Sequence, residues 1–286
     1  MRTKVIPSHL RRGRTRDARC GVASMAVLAM LSLAGMAEAR CADLALVLAI
    51  DASGSINPGE FALQQQGYAA AFRSAPVQSA LAAAGTVDIG VVVCLAAAGT
   101  VDIGVVVWGD TAMALQILGF QRVDTPADAE ALALRIADLP RTTHGNTGIG
   151  RGVAAAVDLL AGSEGCASRS VVNVSGDGPE SLAPRPRFHM PLATARQRAA
   201  DLGITINALA IETEAADLAD WYRDNLITGP GAFVMKVDGF EDFAAAIEAK
   251  LVREITPLAL AAWEADLQSL TFTAATYQAP DRRMSP

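Results

Sequence analysis

The sequence predicts an α/β protein with a doubly wound, mostly parallel six-stranded sheet, helices on both faces, and an inserted duplicated strand segment. Three observations support this fold class. Residues 44–50 form a continuous apolar run, which is typical of a strand covered on both faces. Strand-like and helix-like segments then alternate along the chain, as they do in parallel α/β sheets. An apolar content of 51% over 286 residues indicates a packed globule.

The first 39 residues have the layout of a secretory signal peptide. Several basic residues precede an uncharged apolar run over 21–36, and Ala37-Glu38-Ala39 matches a small-x-small cleavage site. The run is shorter than the roughly 20 residues of an untilted transmembrane helix, and no later apolar segment is long enough. We therefore expect a periplasmic or secreted protein that is cleaved near Ala39 and has no membrane span after cleavage.

Without the predicted signal peptide the chain is strongly acidic. Residues 1–39 contain seven of the 24 basic residues and two of the 30 acidic ones, so the remainder carries a formal net charge of −11. A surface of this sign repels phosphate backbones, and the composition therefore disfavours nucleic acid as a partner.

The other elements follow from hydrophobic periodicity and turn residues. The predicted helices cover residues 58–82, 126–139, 148–160, 191–202, 217–225 and 241–255. The strands that follow the first one are expected at residues 101–107, 112–118, 170–175, 204–211 and 232–237. These elements define one domain over residues 41–256, and residues 257–286 are expected to form a C-terminal tail.

One strand sequence occurs twice. The segment "LAAAGTVDIGVVV" spans residues 81–93 and recurs without change at 95–107. A single repeat of this length is too short and too isolated for a solenoid. We expect the second copy to enter the sheet, because Trp108-Gly109-Asp110-Thr111 forms a short hairpin turn into the next strand. The first copy would then be an inserted loop or an additional edge segment.

Polar stretches lie where strands of the predicted sheet end and ligands bind. They are "DASGS" at 51–55, "THGNTGIGRG" at 143–152 and "SGDGPE" at 175–180. Among their side chains are two carboxylates and three hydroxyls that could share one ligand, from Asp51, Ser53, Ser55, Thr147 and Asp177. Oxygen ligands without histidine or thiolate suit a hard cation such as Mg²⁺, with Mn²⁺ or Ca²⁺ as alternatives. A coordination position left open would accept an anionic group of another molecule.

The order of these stretches resembles the metal-ion-dependent adhesion site (MIDAS) of von Willebrand factor type A domains, which have a Rossmann-like fold. The motifs occur in the same order as in that family, namely Asp-x-Ser-x-Ser, then Gly-x-Thr, then Asp-Gly. The likeness spans residues 43–255. "VSGDGP" and "ITINALAI" are similar to a subgroup of exported bacterial proteins of unassigned function. The resemblance implies that Ser53, Ser55 and Thr147 bind the metal, and that Asp51 and Asp177 act mainly through water. The sequence departs from the family pattern at Gly176, where many type A domains have threonine.

The same resemblance bears on the cysteines. Cys20 lies in the predicted signal peptide, so Cys41, Cys94 and Cys166 remain in an oxidising compartment. In the usual strand order of this fold, the first strand lies beside the one that begins near Ser170. Cys41 and Cys166 would then meet at the sheet end opposite the metal site. The resemblance thus predicts a Cys41–Cys166 disulfide and leaves Cys94 unpaired.

The function that the resemblance implies is an exported module that binds an Asp or Glu side chain of an unidentified partner protein through the metal. The alternative is a metal-assisted hydrolase, for which Glu180 is the general base to test. A third reading is a non-functional copy, since a duplicated core strand interferes with folding.

Other motifs are weaker. Ser53, His144 and Asp177 form a conceivable hydrolase triad, but the sequence lacks a Gly-x-Ser-x-Gly nucleophile elbow. His144 and His189 are expected on surface loops. Asp110 is expected in the hairpin turn rather than at the metal, and the Trp221-Tyr222 pair in the core.

Overall fold

The computed structural model describes residues 41–85, 99–162, 166–184, 188–213 and 215–257. The predicted signal peptide, most of the first copy of the duplicated segment with Cys94, and the C-terminal tail lie outside these residues. None of the helices in the described ranges combines the length and the apolar character that crossing a bilayer requires.

A six-stranded sheet organises the described chain, in the strand order β3-β2-β1-β4-β5-β6. Its strands are β1 Ala42–Asp51, β2 Val101–Trp108, β3 Gln116–Val123, β4 Ala167–Gly176, β5 Thr205–Ile211 and β6 Val234–Val237. Neighbouring strands are parallel except for the antiparallel β2–β3 pair. The predicted doubly wound, mostly parallel sheet is therefore confirmed.

Helices cover both faces of the sheet. They are α1 Pro58–Arg73, α2 Ala75–Ala83, α3 Pro126–Ala137, α4 Ile149–Ala161, α5 Leu192–Asp201, α6 Leu218–Asn225 and α7 Phe243–Ile255. Alternate residues of β1 point to opposite faces. Leu46 and Leu48 pack with α1, α2, α3 and α7, whereas Val47 packs with α4, α5 and α6. Both faces of β1 are buried, as its continuous apolar run predicts.

The second copy of the duplicated segment forms β2, as predicted. This strand pairs in parallel with β1 from Leu44↔Val101 to Asp51↔Trp108, and antiparallel with β3. Trp108 ends the strand and is buried between β1 and α4. Because the first copy ends in Cys94 rather than tryptophan, only the second copy supplies this large apolar side chain.

The prediction of one continuous helix over residues 58–82 is wrong, because the helix is interrupted at Ser74. Pro76 has no backbone N–H, and its ring would clash with the Phe72 carbonyl in a continuous helix. The side-chain amide of Gln78 donates instead to that carbonyl at 2.6 Å. Ser74 is the N-cap of α2, and its hydroxyl accepts a hydrogen bond from Val77 N.

The strand predicted over residues 112–118 begins later, at Gln116. Asp110 Oδ1 accepts a hydrogen bond from Ala112 N at 2.7 Å and bends the preceding chain. The Arg151 guanidinium donates to the carbonyl oxygens of Asp110, Thr111 and Met113. Because a helix side chain holds these carbonyls, this segment does not take part in the sheet ladder.

The predicted Cys41–Cys166 disulfide is present. Cys41 directly precedes β1 and Cys166 directly precedes β4, and their Cα atoms lie 4.5 Å apart. The two strands pair in parallel from Ala42↔Ala167 onward, which brings the cysteines together. The bond therefore lies at the sheet end opposite the carboxyl ends of the strands.

A buried polar cluster fixes α7 to the sheet. Glu254 accepts hydrogen bonds from Lys250 Nζ at 2.6 Å, Asn173 Nδ2 at 2.6 Å and Asn207 Nδ2 at 3.0 Å. Lys250, Glu254 and both asparagines are buried. Several partners on one carboxylate offset the cost of burying its charge.

Candidate metal centre

The five predicted site residues lie together at the carboxyl-terminal edge of the sheet. Asp51 ends β1, Asp177 directly follows β4, and Thr147 precedes α4. Ser55 Oγ donates to Asp177 Oδ1 at 2.6 Å and lies 3.2 Å from Ser53 Oγ. Thr147, Ser55 and Asp177 line one cleft with a volume of about 440 Å³. The structure thus brings together side chains that are more than 120 residues apart in the sequence.

A tight turn shapes the first loop, residues 51–57. Ser53 N donates to Asp51 Oδ1 at 2.7 Å, which closes an Asx turn directly after β1. Gly54 N donates to the Gly145 carbonyl at 2.6 Å and joins this loop to the one that carries Thr147. A Cβ atom on Gly54 would lie 3.0 Å from that carbonyl oxygen, so glycine permits the close approach. Asn57 then caps α1 through a capping box with Glu60.

Two charged side chains support these loops. The guanidinium of Arg141 donates to the carbonyl oxygens of Ala52, Ser53 and Ile56. Arg141 lies six residues before Thr147, so these hydrogen bonds join the first loop to the segment that leads to Thr147. Asp110 Oδ2 accepts hydrogen bonds from Asn146 N at 3.0 Å and Asn146 Nδ2 at 2.6 Å. Asp110 therefore has a second contact beyond its predicted turn. The supporting role of Arg141 has no signal in the sequence, because a single basic residue in a polar loop forms no pattern.

The third loop, residues 177–181, is fastened to the threonine loop. Ser181 Oγ accepts a hydrogen bond from Thr147 N at 3.0 Å, and Ser181 N donates to Thr147 O at 3.0 Å. Glu180 Oε1 accepts from Gly150 N at 2.8 Å in the first turn of α4. A carboxylate in this position stabilises the partial positive charge of a helix N-terminus. The Glu180 carboxylate therefore binds the helix end.

The electrostatics of the centre are unfavourable for two anionic carboxylates. Asp51 is fully buried, and within the described chain its Oδ2 has no hydrogen-bond partner. Burial, followed by the negative charge of Asp177, raises the pKa of Asp51 to about 8. A divalent cation beside the two carboxylates would offset both effects. The buried Oδ2 atom and the neighbouring hydroxyls thus fit a hard cation.

The donor set is unlike that of a histidine or cysteine site. Among the described residues, no group of three or more His, Cys, Asp or Glu side chains could hold a metal ion. A cation at this edge would therefore need the hydroxyl oxygens of Ser53, Ser55 and Thr147 together with the carboxylates.

His144 and His189 are exposed loop residues, as expected. Tyr222 is fully buried, whereas Trp221 is partly exposed.

We expect the metal-free protein to lose stability as the pH rises from 3.8 to about 8. The pKa of Asp51 is about 8 in the folded protein, against the ordinary value of 3.8 in an unfolded chain. Between these values the folded state binds the additional proton, so raising the pH favours unfolding. Free energies of unfolding in urea, measured at several pH values with chelator, would show the decline. The Asp51→Asn variant should flatten it, and an equal decline in that variant would contradict this assignment.

Solved structures with similar folds come from a byssus protein and a pilus adhesin. Proximal thread matrix protein 1 from the mussel byssus has a TM-score of 0.51 and 18% identity, over 76% of this chain and 47% of that chain. Its structure with a zinc-occupied MIDAS motif has a TM-score of 0.50 and 17% identity, over 75% and 48%. The pilus adhesin SpaC from Lactobacillus rhamnosus GG has a TM-score of 0.50 and 12% identity, over 76% and 30%. At these identities the comparison shows the fold alone, and the chain spans about half or less of each protein.

No curated protein matches the sequence significantly. The family described as "Protein of unknown function (DUF1194)" matches residues 40–259, which is most of the chain. The chain thus has the von Willebrand factor type A fold and belongs to the DUF1194 family.

Proposed function

We propose that this chain is an exported protein-binding module that captures an aspartate or glutamate side chain of a partner through a divalent cation. The observation that carries the proposal is the buried Oδ2 atom of Asp51, which has no hydrogen-bond partner among the described residues. A buried carboxylate oxygen without a partner is costly in a protein interior. Its place at the end of β1, in the same group of side chains as the oxygen donors Ser53, Ser55 and Asp177, supports a bound cation.

In this proposal the hydroxyls of Ser53, Ser55 and Thr147 hold the cation, and Asp51 and Asp177 act mainly through water. Mg²⁺ is the expected ion, with Mn²⁺ or Ca²⁺ as alternatives, because all of these donors are oxygen atoms. The bound ion supplies a positive charge that an external carboxylate can reach. Glycine and alanine residues line much of the cleft and leave room for one incoming side chain: Gly54, Gly145, Gly178 and Ala215.

The charge of the chain makes the cation necessary for such a partner. With a formal net charge of −11 after residue 39, the surface repels acidic groups at long range. Only a bound cation would convert the cleft into an attractive site for a carboxylate. The zinc-occupied MIDAS motif of the byssus protein supports the capacity of this fold to hold a divalent ion.

Export is part of the proposal. The signal-like layout of residues 1–39 and the Cys41–Cys166 disulfide both support it, because disulfides persist in oxidising compartments. A periplasmic location would give access to partners within the cell envelope, and a secreted one to partners outside the cell.

The contacts of Glu180 favour binding over hydrolysis. A general base must reach the water or substrate proton that it removes. The carboxylate of Glu180 instead accepts a hydrogen bond from Gly150 N at the start of α4. This contact disfavours Glu180 as the general base of the hydrolase alternative.

We expect capture of partner proteins to require the cation. Immobilised protein would be incubated with bacterial envelope extract in Mg²⁺ and then eluted with chelator, in parallel with the Asp51→Asn variant. Specific partners should elute on chelation and should be missing from the variant. Converting the carboxyl groups of the extract to amides beforehand should also prevent capture. Binding that is unaffected by chelator would contradict the proposal.

A further inference from the structure

Gly176 and Tyr222 face each other at the metal centre. A Cβ atom on Gly176 would lie 2.7 Å from Tyr222 Oη and 2.9 Å from Asp51 Oδ2. Both distances are shorter than an ordinary contact between non-bonded heavy atoms. The Tyr222 hydroxyl therefore occupies the space that a side chain at position 176 would need, near the Asp51 oxygen that has no hydrogen-bond partner within the described ranges.

Tyr222 is held firmly in this position. It lies on α6, is fully buried, and packs in the core formed with α4 and α5. Its hydroxyl donates to the carbonyl oxygen of Gly178 at 3.1 Å, in the turn that follows Asp177. One phenol group thus contacts the backbone beside one site carboxylate and lies close to the other.

We propose that Tyr222 is a positioning residue of the metal centre, whose hydroxyl replaces the side-chain hydroxyl that Gly176 lacks. It fixes the Asp177–Gly178 turn through the Gly178 carbonyl and fills the space behind the carboxylate of Asp51. Gly176 and Tyr222 then form a matched pair, in which a hydroxyl from α6 takes the place of one from β4. This inference rests on the proposed cation site.

A purely structural role for Tyr222 makes a different prediction. If the ring only fills the core, loss of the hydroxyl would change the stability of the metal-free protein and leave metal affinity unchanged. If the hydroxyl positions the centre, metal affinity should fall, and a hydroxyl supplied from position 176 should restore part of it.

The test compares Mn²⁺ affinity, measured by calorimetry, in wild type, Tyr222→Phe, Gly176→Ser and the double variant Gly176→Ser/Tyr222→Phe. Tyr222→Phe should bind Mn²⁺ about tenfold more weakly, the size expected for a supporting contact of a metal site. Gly176→Ser alone should also weaken binding, because its side chain meets the Tyr222 hydroxyl. The double variant loses the contact with the Tyr222 hydroxyl but keeps the approach of the new Cβ to Asp51 Oδ2 at 2.9 Å, so it should recover part of the loss. Each single substitution would thus lower Mn²⁺ affinity, and the second substitution would offset part of the effect of the first.

The matched control is Gly176→Ala/Tyr222→Phe, which fills the same space without a hydroxyl and should not recover. The free energy of unfolding in chelator, measured for every variant, separates a folding defect from a binding defect. Wild-type affinity in Tyr222→Phe, or equal recovery with serine and alanine, would overturn the inference while leaving the cation site in place. Absence of Mn²⁺ binding in the wild type would overturn the proposed function and this inference together.

Discussion

Asp51→Asn is expected to weaken divalent-cation binding by about 100-fold or more while the domain remains folded. The substitution removes the buried carboxyl group at the end of β1, and losses of 10- to 100-fold follow even when only the supporting contacts of a metal site are lost. The amide oxygen can still accept the hydrogen bond from Ser53 N, so the turn after β1 is retained. Calorimetric titration with Mg²⁺ and Mn²⁺ measures the loss.

The stability of the metal-free variant distinguishes this effect from misfolding. At neutral pH, Asp51→Asn should be as stable as the wild type or more stable, because it removes the buried carboxyl whose pKa is raised by burial and by Asp177. Asp158→Asn is a matched control, since Asp158 is an exposed helix residue that pairs with Arg198. Metal affinity should be unchanged in the control. Equal binding by Asp51→Asn and the wild type would contradict the cation site.

Removal of the Cys41–Cys166 disulfide is expected to cost up to about 5 kcal/mol of unfolding free energy. The bond joins residues 125 positions apart, and the chain-entropy treatment assigns an upper figure of this size to such a loop. Urea unfolding of the Cys41→Ser/Cys166→Ser variant measures the loss, with Cys94→Ser as the control. Unchanged stability, or alkylation of both thiols in unreduced native protein, would contradict the prediction.

The disulfide and the metal centre should also be separable. The bond lies before β1 and β4, whereas the site residues lie at the opposite ends of these strands. Under conditions in which the serine variant is folded, its metal affinity should therefore match that of the wild type. A parallel loss of affinity would show that the two ends of the sheet are coupled.

The sequence was sufficient for the features that depend on local pattern or on strand order. The apolar run of β1, the choice of the second copy for β2, and the position of Cys41 beside Cys166 agree with the structure. The division of the first helix at Ser74 was missed because the prediction followed hydrophobic periodicity and did not weigh Pro76, a helix-breaking residue that is visible in the sequence. The late start of β3 depends on Arg151, which is a contact between distant segments.

The same distinction applies to the candidate site. Its five oxygen-bearing residues occur in recognisable stretches at strand ends, and the structure brings them to one edge of the sheet, where Ser55, Thr147 and Asp177 line a cleft. Arg141 and Tyr222 were not anticipated, because their contacts with the loops exist only in the folded chain. From the sequence, Tyr222 is expected only to be a core residue. Its hydroxyl lies close to Gly176 in the folded chain, and only this contact indicates a role at the candidate metal centre.

The most direct test of the account is a crystal structure of the protein grown with Mn²⁺, analysed by anomalous diffraction. We predict an anomalous peak in the cleft, within coordination distance of the hydroxyls of Ser53, Ser55 and Thr147 and in direct or water-mediated contact with Asp51 and Asp177. A cleft without a peak at saturating Mn²⁺, or a peak elsewhere only, would contradict the central claim.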